Sequence, residues 1–186
     1  SRQPDYRRHY VGLDFVPEAL QIATKRLAAI RGETEEKIGK KIGLNFSFVL
    51  ADLNDKLPFP DGYFDKICCN LVISYVDNPK FTMRELMRVL KPKGRIILSS
   101  LKPHADLSQI YRNFVVQVQN QPEIEEARRL LNNAGKIMQK EGEGQYHFFS
   151  ESKLRSLISG VGGRDIKSFK TFGEQAYLAV GSKPQS

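Results

Sequence analysis

Residues 46–76, FSFVLADLNDKLPFPDGYFDKICCNLVISYV, decide how this chain is read. Phe46–Ala51 is an apolar run with aromatic and β-branched side chains, and it stops at Asp52. Pro58, Pro60 and Asp61-Gly62 then mark a loop, because proline presets φ and Asp-Gly suits a tight turn. Asp65–Ile73 is almost wholly apolar, the pattern of a strand covered on both faces. Two parallel strands are thus predicted, one ending at a carboxylate and the other near the amide of Asn70. Ligands of open α/β sheets bind outside the carboxyl ends of the strands. The stretch is therefore predicted to hold the adenine end of a nucleotide-like cofactor.

On the amino-terminal side, Tyr10–Leu13 reads as a short strand ending at Asp14. Pro17 suits the first turn of a following helix, where its missing N–H costs nothing. Leu20, Ala23, Leu27 and Ile30 recur at helical spacing. Residues 31–43, charged and punctuated by glycine, are expected to form a mobile connection. On the carboxyl side, Asn78 can cap a helix starting at Pro79, with Met83, Leu86, Met87 and Leu90 as its buried stripe. Lys91–Gly94 is read as a tight turn and Arg95–Ser100 as a strand. The alternation of strand and helix predicts an α/β, Rossmann-like fold: a mostly parallel sheet with helices on both faces. Leu107–Val118 and Pro122–Gln139 look helical with no strand between them. Residues 101–146 are thus expected to be a helical insertion capping the sheet's carboxyl edge. Ser150 can cap a helix over Glu151–Ser159, stopped by Gly160–Gly163. Arg164–Phe172 and Gln175–Ser182 are expected to close the fold as an antiparallel hairpin.

The 186 residues suit one domain, and 40% hydrophobic with 27% charged residues indicates an ordered globular chain. No apolar run approaches the roughly 20 residues a membrane span needs, and the first ten residues lack the apolar segment of a secretory signal. Cys68 and Cys69, adjacent in a strand, point to opposite faces and are read as reduced core residues of a cytoplasmic protein. The formal net charge of +8 raises nucleic acid as a partner. The basic residues are spread along the chain, however, and fit a solvated surface better than a binding arm.

Taken together, YVGLDFVPEAL, VLADLNDKLPFPDGYFDKI, NLVISYV, MRELMRVLKPKGRIIL and the closing hairpin resemble the class I S-adenosylmethionine-dependent methyltransferases. The likeness is nearest to the small-molecule branch that includes quinone-biosynthesis enzymes. It covers residues 10–100 and 147–183 and leaves the insertion uncovered. The resemblance implies that Asp14 accepts hydrogen bonds from both ribose hydroxyls, for which a carboxylate has enough lone pairs. It implies Phe15 against the adenine, Asp52 on the exocyclic amine and the Leu53 N–H at a ring nitrogen. Asn70 and Leu71 would lie near the methionine portion. The family's first strand and its G-x-G-x-G loop should precede residue 1, so the sequence is expected to be the downstream part of a longer chain.

Methyl transfer from a sulfonium needs positioning of two reactants and exclusion of water; an acidic nucleophile also needs a base. His104 and Tyr75 are the catalytic candidates, with His147 and Tyr146 as further bases, while His9 is read as surface. Each has a plainer reading: His104 as an exposed loop residue, His147 as part of a packed aromatic patch, Asp14 as a helix N-terminal acid, Asp52 as a turn carboxylate bonding its own backbone, Asn70 as an amide satisfying local backbone. No metal-ligand spacing is present. The sequence thus points to an enzyme that uses S-adenosylmethionine on a small-molecule acceptor. The alternatives are a nucleic-acid methyltransferase, against which stands Asn70-Leu71-Val72-Ile73 in place of an Asp/Asn-Pro-Pro-aromatic run, and a non-catalytic module that keeps the fold.

Overall fold

A computed structural model describes residues 8–106, 108, 125 and 135–185. Its contacts divide the chain into two compact units, Ser1–Pro58 and Phe59–Ser186.

The first unit is built from β1 (Arg8–Asp14), α1 (Pro17–Ile38) and β2 (Leu44–Leu50). The strands pair in parallel, with Asp14 opposite Leu50. Such a pair needs a long crossover, and α1 supplies it. Tyr10 and Phe46 stack with ring centroids 5.0 Å apart. Gly12 admits the Phe48 ring: a Cβ there would stand 2.7 Å from Phe48 Cδ1. The expected mobile connection at 31–43 is corrected, because α1 runs unbroken through Arg31–Ile38. Side chains account for this. Arg31 and Glu35 pair at 3.0 Å one turn apart, and both also reach Ile42, through its carbonyl at 2.9 Å and its N–H at 2.8 Å. These bonds offset Gly32, which costs roughly 1 kcal/mol in a helix. Gly39, left-handed at φ 61°, closes the helix.

The second unit contains β3 (Phe64–Asn70), α2 (Pro79–Val89), β4 (Leu90–Leu101), α3 (Glu151–Ser159), β5 (Arg164–Thr171) and β6 (Ala176–Ser182). Its sheet has the order β3-β4-β6-β5. β3 and β4 are parallel, while β6 is antiparallel to both β4 and β5. The predicted hairpin is therefore present, and the predicted parallel pairing holds at β1–β2 and β3–β4. Asn78 caps α2 through a bond from the Phe81 N–H at 3.1 Å. Ser150 caps α3 through Lys153 N–H at 3.4 Å. Met83, Leu86, Met87 and Leu90 are all buried, as are Ile96, Leu98, Leu154 and Ile158.

Two local expectations are revised. The strand expected over Asp65–Ile73 ends at Asn70 and is not covered on both faces: Cys69 is buried, but Cys68 is exposed. Successive side chains of a strand point to opposite faces, and at these two positions only the Cys69 face is covered. Lys91–Gly94 is not a separate turn. β4 begins at Leu90, and a register irregularity falls between Lys66 and Phe64 on the partner strand. Lys93 takes φ 61° there, while Lys93 and Lys183 tie the bulge to the chain's end through bonds of 3.0 and 2.9 Å. Most of the two helices expected in the insertion lies outside the described residues; residues 135–142 are helical.

One side chain organises the loop before β3. The Arg88 guanidinium donates to both Glu85 oxygens at 2.9 and 2.8 Å, to Asp61 Oδ1 at 2.8 Å and to the Phe59 carbonyl at 2.8 Å. The Arg88 side chain is 20% exposed and Glu85 12%, whereas Asp61 is 82% exposed. Arg88→Ala leaves a nearly buried carboxylate without this partner and is expected to cost about 2–3 kcal/mol in chemical denaturation. Asp61→Ala, which removes a solvated partner, is expected to cost under about 1 kcal/mol.

Candidate functional site

In the first unit the parallel register brings two acids to one edge. Asp14 is the last residue of β1 and faces Leu50. The Ala51 N–H donates to the Asp14 carbonyl at 3.0 Å, and Asp52 is the next residue. Each carboxylate shapes its own turn: Asp14 Oδ1 accepts from the Val16 N–H at 2.9 Å, and Asp52 Oδ1 accepts from the Asn54 N–H at 2.8 Å. The turn role considered for Asp52 is therefore real, and Asp14 has a similar one. A carboxylate has about four acceptor positions, so one such bond leaves each acid able to take further donors. Phe15 is 68% exposed, an uncommon setting for a large apolar ring. Leu53 is half-buried in the turn after Asp52.

In the second unit Asn70, the last residue of β3, stands opposite Ser99, near the carboxyl end of β4. Ser99 Oγ donates to Asn70 Oδ1 at 2.6 Å and accepts from the Leu71 N–H at 2.9 Å. Leu71 has φ 57°, a left-handed conformation that costs roughly 1–2 kcal/mol for a non-glycine residue. Backbone strain of this kind persists where surroundings over-determine it, and Ser99 is such a surrounding. Beyond Leu71, buried Ser74 shares a 2.8 Å bond with Ser100. Ser100 Oγ also donates to the Leu101 carbonyl at 2.7 Å and accepts from the Phe149 N–H at 3.1 Å.

The other candidates lie along the same loops. Tyr75 packs edge-on against Tyr146, with centroids 4.6 Å apart, and against Phe148 at 6.3 Å. Leu71, Ile137, Met138 and Tyr146 pack on the buried cluster of Leu101, Ala105, Phe148 and Ala176. Burial, and after it Tyr146, pushes the Tyr75 phenol above its ordinary value, so it stays protonated at neutral pH. It can donate a hydrogen bond but makes a poor base. His104 follows β4, exposed and at φ 55°. Its backbone N–H faces the Glu141 carboxylate at 3.3 and 3.4 Å. His147 is exposed, with its N–H bonded to the Ser74 carbonyl at 2.9 Å. His9 is exposed and bonded to Ser47 at 2.9 Å. An open depression of about 700 Å³ is lined by Ser150, Glu151, Arg155, Ser156, Ile166 and Tyr177 among others; none of the candidates lines it.

Sequence reasoning missed Ser99, Ser100 and Ser74. A signal existed: RIILSS places two hydroxyls at the carboxyl end of an otherwise apolar strand, where packing alone gives no reason for them.

A family model described as a methyltransferase domain matches residues 2–98. The chain belongs to this family. Among curated relatives, the ubiquinone/menaquinone biosynthesis C-methyltransferase of Azotobacter vinelandii is 29% identical over 150 residues, covering 75% of this chain and 54% of the relative. The Proteus mirabilis enzyme of the same name is 33% identical over 114 residues, covering 46% and 45%. This methyltransferase domain thus spans about half the length of those relatives. Among solved structures, a SAM-dependent methyltransferase of Thermotoga maritima superposes with a TM-score of 0.58 at 18% identity, covering 97% of this chain and 84% of its own. A SAM-dependent methyltransferase of Aquifex aeolicus gives 0.55 at 17% identity, covering 96% and 70%. At these identities the likeness establishes the fold, a Rossmann-like α/β arrangement with an antiparallel end.

The two cysteines before Asn70 supply a check on the site's local geometry. Burial, and after it the neighbouring Cys68, pushes the Cys69 thiol up to about 12. Only the thiolate is nucleophilic, so Cys69 is unreactive at neutral pH on two counts, burial and protonation. Iodoacetamide at pH 8 is expected to add one group to the native domain, abolished by Cys68→Ser, and two after denaturation. Rapid native modification of Cys69 would contradict this arrangement of β3.

Proposed function

We propose that the chain is a methyltransferase domain that uses S-adenosylmethionine to methylate a small apolar or aromatic molecule. The observation that carries this reading is the pair Asp14 and Asp52, set by a parallel register at the same end of β1 and β2. The donor set fits the cofactor. A ribose diol offers two O–H donors and adenine an exocyclic amine, and each acid keeps acceptor capacity beyond its own turn. On this reading Asp14 binds the ribose, Phe15 lies along the adenine, and Asp52 and Leu53 take its polar edge. Asn70 and Leu71 serve the methionine portion.

S-adenosylmethionine, when bound, supplies an electrophilic methyl group on a sulfonium. The chain's own contribution is then to bind, orient and keep water out. The cluster of Tyr75, Tyr146 and Phe148 offers an aromatic surface for an acceptor. Tyr75, held protonated, serves as a hydrogen-bond donor to an acceptor oxygen. His104, exposed after β4, is the base where the acceptor must lose a proton. The relatives' names place them in quinone biosynthesis as C-methyltransferases. By likeness, an electron-rich ring carbon is the proposed methyl acceptor. Those names give the nucleic-acid and scaffold alternatives no support. Among the described residues no helix is long and apolar enough to cross a membrane. Both cysteines are free, which suits the cytoplasm proposed for this protein.

Calorimetric titration with S-adenosylhomocysteine tests the proposal. The protein is expected to bind it, and Asp14→Ala is expected to weaken binding by about tenfold to a hundredfold, the value of a charge-assisted bond. Asp52→Ala should weaken it by about tenfold. Absence of binding to the unaltered protein, or unchanged affinity in both variants, would overturn the assignment.

A further inference from the structure

Ser99 does more than satisfy a strand end. Its hydroxyl has a single proton and is 2% exposed at residue level. The Leu71 N–H donates to Oγ at 2.9 Å, so Oγ is an acceptor there. Its own proton then goes to Asn70 at 2.6 Å. That contact is short even for O–H···O, and it decides which end of the amide faces Ser99. With the amide reversed, Nδ2–H would meet Oγ, and the hydroxyl proton would lose this acceptor within a buried site. The polarity therefore runs one way: Leu71 N–H to Ser99 Oγ–H to Asn70 Oδ1. Asn70 is an exposed residue, and the chemistry left to it is the pair of Nδ2–H donors.

We propose that Ser99 is a positioning residue that locks Asn70 as a hydrogen-bond donor, and that this donor recognises the carboxylate of the cofactor's methionine portion, not its ammonium. The inference rests on the proposed assignment of Asn70 to that portion. It adds the polarity of the contact and the residue that imposes it. The parallel register makes the device possible, since Asn70 and Ser99 are direct partners across β3 and β4. The Leu71 N–H also reaches the Ser99 carbonyl at 3.2 Å, so removal of the hydroxyl leaves a backbone bond holding the turn.

Two probes separate this idea from the function it rests on: S-adenosylhomocysteine, which carries the carboxylate, and 5′-methylthioadenosine, which lacks the amino-acid end. Calorimetry on Ser99→Ala and Asn70→Asp is expected to show S-adenosylhomocysteine weakened by about tenfold in each. Methylthioadenosine should stay within about twofold. Asn70→Ala combined with Ser99→Ala should be no weaker than Asn70→Ala alone, because a positioning residue has nothing left to position. Ser99→Thr keeps the hydroxyl and should stay near the unaltered affinity. Should Ser99→Ala fail to fold, Asn70→Asp, on an exposed side chain, and Ser99→Thr still decide the matter. Binding of both probes with equal losses, or none, in Ser99→Ala and Asn70→Asp would overturn the inference and leave the function standing. Failure of the unaltered protein to bind either probe would overturn both.

Discussion

Parallel pairing of strands is the constraint on which the rest depends. Two antiparallel neighbours would carry their final residues to opposite edges. Two parallel ones deliver them to the same edge, whatever the length of chain between them. Asp14 and Asp52 are separated by a long helix in sequence, yet the parallel register, continued by the bond from the Ala51 N–H to the Asp14 carbonyl, brings them to the same end of β1 and β2. Asn70 and Ser99 meet by the same rule, with α2 intervening. Neither pair depends on a special side-chain attraction. Backbone register places the groups, and the side chains then find their hydrogen bonds.

This explains which parts were legible in the sequence. The strands, α2, α3 and the closing hairpin have strong local signals: an apolar run ended by an acid, a proline after a capping residue, a glycine cluster after a helical stripe. Asn78 and Ser150 cap as expected because the cap is a local bond. Asp14 and Asp52 stand out in sequence because each is a lone carboxylate at the end of an apolar strand, and the turn each one shapes is also a local bond. What escaped was non-local. The last two turns of α1 look like a broken, charged loop in sequence. They are helical because Arg31 and Glu35 hold Ile42 beyond the helix. Cys68 has the composition of a core residue, but its face of β3 is left open while that of Cys69 is covered, a difference that no local pattern marks. The hydroxyl chemistry of Ser99 depends on a register that local pattern does not encode.

The two units differ in how they are held. In the second, α2 and α3 bury their apolar faces on the sheet, and Ile96, Leu98, Leu154 and Ile158 are all wholly buried. In the first, no residue of α1 is buried, and Ile22, Ile30 and Ile38 stand more than half exposed. Burial of apolar area is the main source of stability, at about 25 cal/mol per Å². By that measure the core of the protein lies in the second unit.

The stretch between residues 106 and 146 is fastened at both of its ends. On departure, the Asp106 N–H donates to Gln175 Oε1 at 2.7 Å, on a residue only 3% exposed. On return, the N–H groups of His147 and Phe149 bond to Ser74 and Ser100. The chain thus leaves and re-enters at fixed moorings built from the sheet's own polar edge. Closing a longer excursion between fixed points costs only about 0.6 kcal/mol for each doubling of length. A segment moored in this way can therefore change its length at small cost to the sheet on which both of its ends are anchored.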